Sequence, residues 1–166
     1  MRVTMLLFLF ACSENPTESS PPEESAADDS TPPDQLPVLA EHVAAIPGQW
    51  SGSASPTPIG DVPFAIAFDA DGGKVAGDTK QAGFAFEFAF DPDDKVGFRF
   101  TETGKFGGFT QSHVLIPDEI AADRVRWIDV EDPDVLAVTT EVSDERFVMD
   151  AWVRGKRHAT IDMTRL

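Results

Sequence analysis

The chain has 166 residues and a formal net charge of −16, with 29 acidic side chains against 13 Lys and Arg. This length fits one domain with accessory segments. The acidic balance argues against nucleic acid as a partner, because phosphate binding requires clustered Lys and Arg. A single Cys excludes an intramolecular disulfide and a cysteine-based metal cluster.

Residues 1–11 have the pattern of an export signal. Their sequence, MRVTMLLFLFA, carries one Arg and then a nearly unbroken apolar run. The run is too short to span a bilayer, which takes roughly 20 apolar residues. It has the proportions of the hydrophobic region of a signal peptide. Residues 1–11 are therefore predicted to be a signal peptide.

The only Cys follows this run directly, in the stretch Leu9-Phe10-Ala11-Cys12. The stretch resembles the lipobox of bacterial lipoproteins, which has a Leu three residues before the Cys and a small residue just before it. The resemblance implies acylation of Cys12 and a membrane as partner, since several acyl chains on one Cys give stable anchoring. Ser13 replaces the Asp that retains such proteins at the inner membrane. This implies a cell-envelope location at the outer membrane, on its periplasmic side or at the cell surface. The alternative is an ordinary secretory signal in which Cys12 is incidental.

Residues 12–34 are predicted to form a disordered acidic tether. The segment is rich in Ser and Pro, and from residue 13 onward it holds seven acidic residues and no basic one. It has too little apolar surface to offset the entropy of ordering. A spacer between a membrane and a folded domain explains this composition, and a recognition arm for a basic partner is the alternative.

The folded domain is predicted to cover residues 35–166 and to begin with a helix over 35–45. Asp34 is the expected N-cap, and Pro37 lies in the first turn, where its missing N–H costs nothing. Pro47 and Gly48 end the helix. His42 is expected on the solvated face. The apolar positions recur at helical spacing and comprise Leu36, Leu39, Val43 and Ile46.

From Gln49 onward the apolar period changes to two, which indicates strands. Turn signals separate about nine or ten such segments at roughly 8 to 12 residue spacing. Asp69 to Gly73 and Gly155-Lys156 are expected to be tight turns, and 117–123 a loop or one helical turn. The fold class is therefore all-β, an antiparallel up-and-down barrel of about 8–10 strands, whose closure removes exposed sheet edges.

Gly48-Gln49-Trp50 forms a G-x-W motif after the helix and at the start of the first strand. Together with the predicted meander, this resembles the calycin superfamily, which includes the lipocalins. The resemblance implies that Trp50 plugs one end of the barrel and packs against an Arg near the end of the last strand. Arg165 is the expected counterpart, with Arg157 second. Gly48, Trp50 and Arg165 are thus predicted to close the barrel.

The sequence shows no catalytic signature, and we predict no catalytic residue, no metal site and no cofactor. The three histidines have no metal-ligand spacing, and Ser112 and His113 are neighbours on opposite faces of a strand. Acidic stretches such as 129–134 are interpreted as solvated turns. Glu87 and Arg99 are expected to be cross-strand partners on the solvent side.

A stripe of aromatic residues suggests an apolar pocket in the mouth of the barrel. The main hypothesis is a lipid-anchored protein that binds a small apolar ligand or a partner in the cell envelope. The second is a structural or interaction lipoprotein whose barrel is filled by its own side chains. The third is a hydrolase or isomerase on a barrel scaffold. The predicted pocket lining comprises Phe64, Ile66, Phe68, Phe84, Phe86, Phe88, Phe98 and Phe100.

Overall fold

The structure, a computed structural model, describes residues 34–56, 60–79, 84–90, 98–106 and 109–166. It confirms the predicted architecture, with one short helix before a closed antiparallel barrel of ten strands. Each strand pairs with the next along the chain, and the last pairs with the first. The elements are α1 (Leu36–Ala44), β1 (Gly48–Pro56), β2 (Val62–Asp71), β3 (Lys74–Thr79), β4 (Phe84–Phe90), β5 (Phe98–Phe106), β6 (Phe109–Ile120), β7 (Arg124–Asp129), β8 (Leu136–Val142), β9 (Arg146–Val153) and β10 (Lys156–Arg165).

Helix α1 covers one end of the barrel, which we call the closed end. Leu39 and Ile46 are fully buried, and Pro37 lies in the first turn as predicted. The N-cap is Gln35 rather than Asp34, and it makes no side-chain capping bond. The expectation that His42 is solvated is wrong, because its side chain is only 3% exposed. Position 42 lies three residues after Leu39, which places the imidazole on the apolar face of the helix.

Residues alternate strictly between the inside and the outside of the barrel in the first strands. The inward positions of β2 are buried and the intervening positions are exposed. On the outer wall, Glu87 of β4 pairs with Lys74 at 3.2 Å. Glu87 was expected to be a solvent-side partner of Arg99. Its described ionic partner is Lys74, and the register places Arg99 opposite Ala89.

Strand β6 runs further than the sequence suggested. The prediction of a loop or helical turn over 117–123 is wrong for its first part, because β6 continues to Ile120. The pairing with β7 shifts register between Pro117 and Glu119. Pro has no N–H for the ladder, and an irregularity of this kind accommodates it within a strand.

Two tight turns use backbone conformations that favour Gly. Gly72 and Gly73 have φ angles of 54° and 89° in a two-residue hairpin between β2 and β3. The turn is shorter than the predicted Asp69 to Gly73, because β2 continues to Asp71. Arg154 and Gly155 take φ angles of 48° and 72° between β9 and β10. The second turn therefore lies one residue earlier than predicted, since Lys156 already belongs to β10.

Large aromatic side chains fill the half of the barrel next to α1. Phe88 and Phe100 stack with ring centroids 4.4 Å apart, and Trp127 packs edge-on against both rings. Phe147 packs against Trp50, with centroids 5.6 Å apart, and Phe68 joins Phe147 to Phe88. Tilted and edge-on pairs of this kind stabilise a core beyond the area that they bury. The closed half of the barrel is therefore a packed aromatic core.

Gly77 on β3 provides the space that one of these rings occupies. A Cβ atom at position 77 would lie 2.6 Å from Cδ1 of Phe68 and 2.9 Å from Cδ1 of Ile66. We expect Gly77→Ala to lower the free energy of unfolding by about 2 kcal/mol, because overpacking a filled core forces side chains from their rotamers. Ala76→Ser, on the exposed side of the same strand, is the matched control and should change little. Equal denaturant midpoints for the two variants would contradict this account.

Candidate functional site

Three ionisable side chains face the inside of the barrel near the end away from α1, which we call the open end. Glu102, His113 and Asp129 lie on the adjacent strands β5, β6 and β7. Glu102 pairs directly with His113, and Asp129 pairs with Leu115. Each of the three is two residues along its strand from a buried, inward-facing residue: Glu102 from Phe100, His113 from Leu115 and Asp129 from Trp127. Residues two apart on a strand share a face, so all three point inward. The three residues form what we call the ionisable row.

Asp129 is held in place by both of its carboxylate oxygens. Oδ2 lies 3.0 Å from Nδ1 of His113. Oδ1 accepts backbone N–H bonds from Glu131 at 2.8 Å and Asp132 at 3.0 Å. Asp129 is only 5% exposed, so the interpretation of 129–134 as a solvated turn is wrong for its first residue. Asp129 is the last residue of β7, and its side chain points inward before the chain turns.

His113 lies where the barrel interior meets solvent. Its side chain faces inward and is nevertheless 31% exposed. Because an ionised carboxylate accepts hydrogen bonds and cannot donate them, the contact with Asp129 places a proton on Nδ1. In the neutral imidazole, Nε2 on the far side of the ring then carries the lone pair. Ser112, the neighbour of His113, points outward as predicted and bonds Thr103 on the outer wall at 2.9 Å.

Glu102 places a carboxyl group on the inward, mainly apolar face of β5. Its side chain is half-buried on an otherwise apolar inward row. Burial raises the pKa of the Glu102 carboxyl, and the nearby His113 opposes that rise. The physical cause is the cost of an ionised carboxylate away from water, which favours the protonated form.

The other described inward-facing side chains of the open half are mainly apolar. Ala151 and Ile161 face inward from β9 and β10 and are half-buried. Phe86 pairs with Glu102 on the neighbouring strand and contacts the Phe100 ring, and Phe64 and Phe86 are 4% and 3% exposed. An ionisable wall therefore faces a wall of small aliphatic groups across the barrel.

The predicted pocket residues are divided between the two halves of the barrel. Phe68, Phe88 and Phe100 belong to the aromatic core of the closed half. Phe64 and Phe86 lie toward the open half. The side chain of Phe84 and the whole of Cys12 lie outside the described residues. The remaining predicted lining residues are inward-facing and buried, and they comprise Ile66 and Phe98.

At the closed end the structure brings Trp50 and Arg165 together. The guanidinium carbon of Arg165 lies 4.2 Å from the centroid of the Trp50 ring, within the range of a cation–π contact. Gly48 has a φ of 135°, and a Cβ there would lie 2.5 Å from Nη1 of Arg165. The absence of a side chain at Gly48 makes room for the guanidinium. Arg157, the second Arg considered, is near the open end on the outer wall, 3.8 Å from Asp150.

A second buried polar group lies beneath α1. Nε2 of His42 is 2.8 Å from Oγ1 of Thr140. The indole N–H of Trp127 donates to the same oxygen at 2.9 Å. Desolvation lowers the pKa of His42 to about 4, against an opposing effect of Asp123. This imidazole is therefore neutral at physiological pH and acts as a structural link between helix and barrel.

The ionisable row was missed at the level of sequence, although a signal for it was present. Glu102 follows Phe98 and Phe100 at a period of two, and His113 precedes Leu115 in the same way. Both positions extend an apolar face, which predicts that they point inward. Their proximity to Asp129 depends on the register of three strands, which the sequence pattern does not contain.

Searches of protein-family models, curated proteins and solved structures found no match to this chain. Within the described ranges, no three His, Cys, Asp or Glu side chains are grouped so as to hold a metal ion. In the same residues, no helix is long and apolar enough to cross a membrane.

Proposed function

We propose that this protein is a lipid-anchored, calycin-like barrel of the cell envelope that binds a small, mainly apolar ligand in its open half. The single observation that carries the proposal is the ionisable row of Glu102, His113 and Asp129 inside a mainly apolar barrel. Burying such groups costs free energy unless they are paired. Natural proteins retain this kind of cost at functional sites.

Differences between the two halves of the barrel support a ligand in the open half. The closed half is filled by stacked aromatic rings. In the open half, inward-facing side chains such as His113 and Ile161 are partly exposed to solvent, and Nε2 of His113 is itself buried. A barrel that served only as a packed structural module would have no reason to keep them accessible. The observation therefore favours a binding function over the alternative of a filled barrel.

The chemistry of the two walls describes the ligand. Ala151 and Ile161 offer small aliphatic contacts, and Phe86, which pairs with Glu102, offers an aromatic one. Glu102 and His113 provide hydrogen bonds on the opposite wall. Sites of this kind bury an apolar body and orient it through a few polar groups. We therefore propose a ligand with an apolar body and one polar group.

Native mass spectrometry of the protein purified from its own cells without denaturation tests this proposal. We expect a retained small molecule that is lost when the protein is unfolded. Ala151→Phe should fill the open half and abolish retention, whereas Ala76→Ser on the outer wall should leave it unchanged. A wild-type protein without any bound mass, or equal retention by the Ala151→Phe variant, would contradict the proposed site.

The membrane anchor rests on the lipobox resemblance at Cys12. Cys12→Ser should move the protein from the membrane fraction to the soluble fraction of its own cells, since no acyl chain can then be attached. Ser13→Asp keeps the acylated Cys and should instead shift the protein toward the inner membrane. An unchanged membrane fraction for Cys12→Ser would refute lipidation.

A further inference from the structure

We propose that the open half is also a catalytic site, in which His113 and Glu102 act as a base and an acid on a small apolar ketone. This inference goes beyond ligand binding, although it uses the same site. It rests on the geometry of the ionisable row: a base oriented by a carboxylate, and a second carboxyl group on the next strand.

His113 has the environment of a general base. Its Nδ1 contacts Oδ2 of Asp129 at 3.0 Å, and Asp129 is itself fixed by the two backbone N–H groups of Glu131 and Asp132. This chain of contacts sets both the ring orientation and the tautomer. Nε2, which is buried in this structure, is then the nitrogen that accepts a proton from a substrate that lies against it. Asp129 touches no substrate in this scheme, so we regard it as a positioning residue.

Glu102 has the environment of a general acid. It lies directly opposite His113 in the β5–β6 register, which places the two Cβ atoms about 4.5–5.5 Å apart. Its burial favours the protonated carboxyl. An imidazole oriented by a carboxylate and a neighbouring carboxyl that burial drives toward its protonated form make a suitable acid–base pair.

The proposed step removes a proton from the carbon next to the carbonyl of the ketone. Nε2 of His113 accepts that proton, and the C–H electron pair becomes a carbon–carbon double bond. The carbonyl π pair moves to oxygen, which takes the carboxyl proton of Glu102. The products are an enol, an imidazolium and a carboxylate. The reverse transfers restore the ketone, and return of the proton to a different carbon of an unsaturated ketone gives its double-bond isomer.

Proton exchange of 2-octanone in D₂O, followed by ¹H NMR, tests this proposal with a defined probe. The proton that His113 removes exchanges with solvent before a deuteron is returned to carbon. We expect the wild-type protein to exchange the α-protons at least about 100-fold faster than His113→Gln, in line with the usual contribution of general acid–base catalysis. Glu87→Gln, on the outer wall of β4, is the matched control for Glu102→Gln and should exchange like the wild type.

Asp129→Asn separates positioning from a merely structural role. The amide oxygen retains the acceptor for the Glu131 and Asp132 N–H groups. The amide NH₂ replaces Oδ2 and reverses the tautomer of His113, so that Nε2 carries a proton and loses its lone pair. We expect the α-proton exchange rate of Asp129→Asn to fall to that of His113→Gln. The variant that combines both substitutions should exchange no more slowly than either one alone. Glu102→Gln should remove the high-pH limb of a bell-shaped rate profile.

The outcomes distinguish this inference from the proposed function. Thermal unfolding checks that each variant is folded. If 2-octanone binds near His113 but wild-type exchange equals that of His113→Gln, the catalytic inference is overturned and ligand binding stands. If an exchange difference exists but Asp129→Asn behaves like the wild type, the positioning role is wrong. If the wild type neither retains a ligand nor binds the probe, both proposals fail.

Discussion

Arg165→Ala should lower the free energy of unfolding by about 4 kcal/mol, because each charged hydrogen bond contributes about 1.5–3 kcal/mol and a cation–π contact adds to them. The guanidinium donates to the backbone carbonyls of Asp144 at 2.6 Å, Pro47 at 2.6 Å and Ala45 at 2.7 Å. It also lies over Trp50. One side chain thus joins the end of α1, the start of β1 and the β8–β9 turn. The expected loss of unfolding free energy is near the low end of these summed contributions, because the Arg165 side chain is partly exposed to solvent.

Denaturant unfolding of a set of Arg variants measures this effect. Arg165→Lys keeps the charge but loses the planar fork of donors, so we expect it to recover only part of the stability. Arg157→Ala is the matched control. Its side chain is 59% exposed and its nearest carboxylate contact is 3.8 Å, so the loss should stay below about 1 kcal/mol. A similar loss for Arg157→Ala and Arg165→Ala would contradict the closure role of Arg165.

Acidification should destabilise the protein through His42. Its pKa is about 4 in the folded protein, against an ordinary value of 6.5. Between these values the unfolded chain binds a proton that the folded chain does not, so stability falls as pH falls. The contribution is fully present above about pH 6.5 and is lost by about pH 4, which amounts to about 3 kcal/mol. Asp123 opposes the effect by favouring the protonated ring.

The difference between the wild type and His42→Gln isolates this contribution from the other titrating groups. We expect that difference in unfolding free energy to change by about 3 kcal/mol between about pH 7 and about pH 4, at the expense of the wild type. Asp123→Asn should steepen the loss, because the ring would lose its favourable charge. A pH-independent difference would show that His42 is not buried as a neutral group.

Most of the fold can be predicted from the sequence because each strand pairs with its neighbour along the chain. The period of two, the Gly-Gly turn before Lys74 and the short spacing between strands predict hairpins, and successive hairpins predict a meander. The predicted element boundaries were wrong where they relied on the usual preference of a single residue. Pro117 suggested a strand end, yet an irregularity in the pairing with β7 keeps it within β6. Asp34 suggested an N-cap, yet the helix begins without a side-chain cap.

The candidate site was less predictable because it depends on contacts across strands. His42 was assigned to solvent from its polarity, although its spacing from Leu39 places it on the buried face. Glu102 and His113 continue inward rows of apolar residues, and only the β5–β6 register places them opposite each other. Asp129 was grouped with its acidic neighbours, whereas its position two residues after Trp127 turns it inward. In each case the period of the element was a better guide than the polarity of the side chain.

The central claim is that the open half of the barrel binds a small ligand beside His113. Titration of protein carrying ¹⁵N-labelled histidine with 2-octanone, followed through the imidazole resonances, tests it most directly. His42 is an internal control, because it is buried under α1 at the closed end. We expect a saturable shift of the His113 signals while those of His42 stay in place. Unmoved His113 signals up to the solubility limit of the probe, or equal shifts of both histidines, would contradict it.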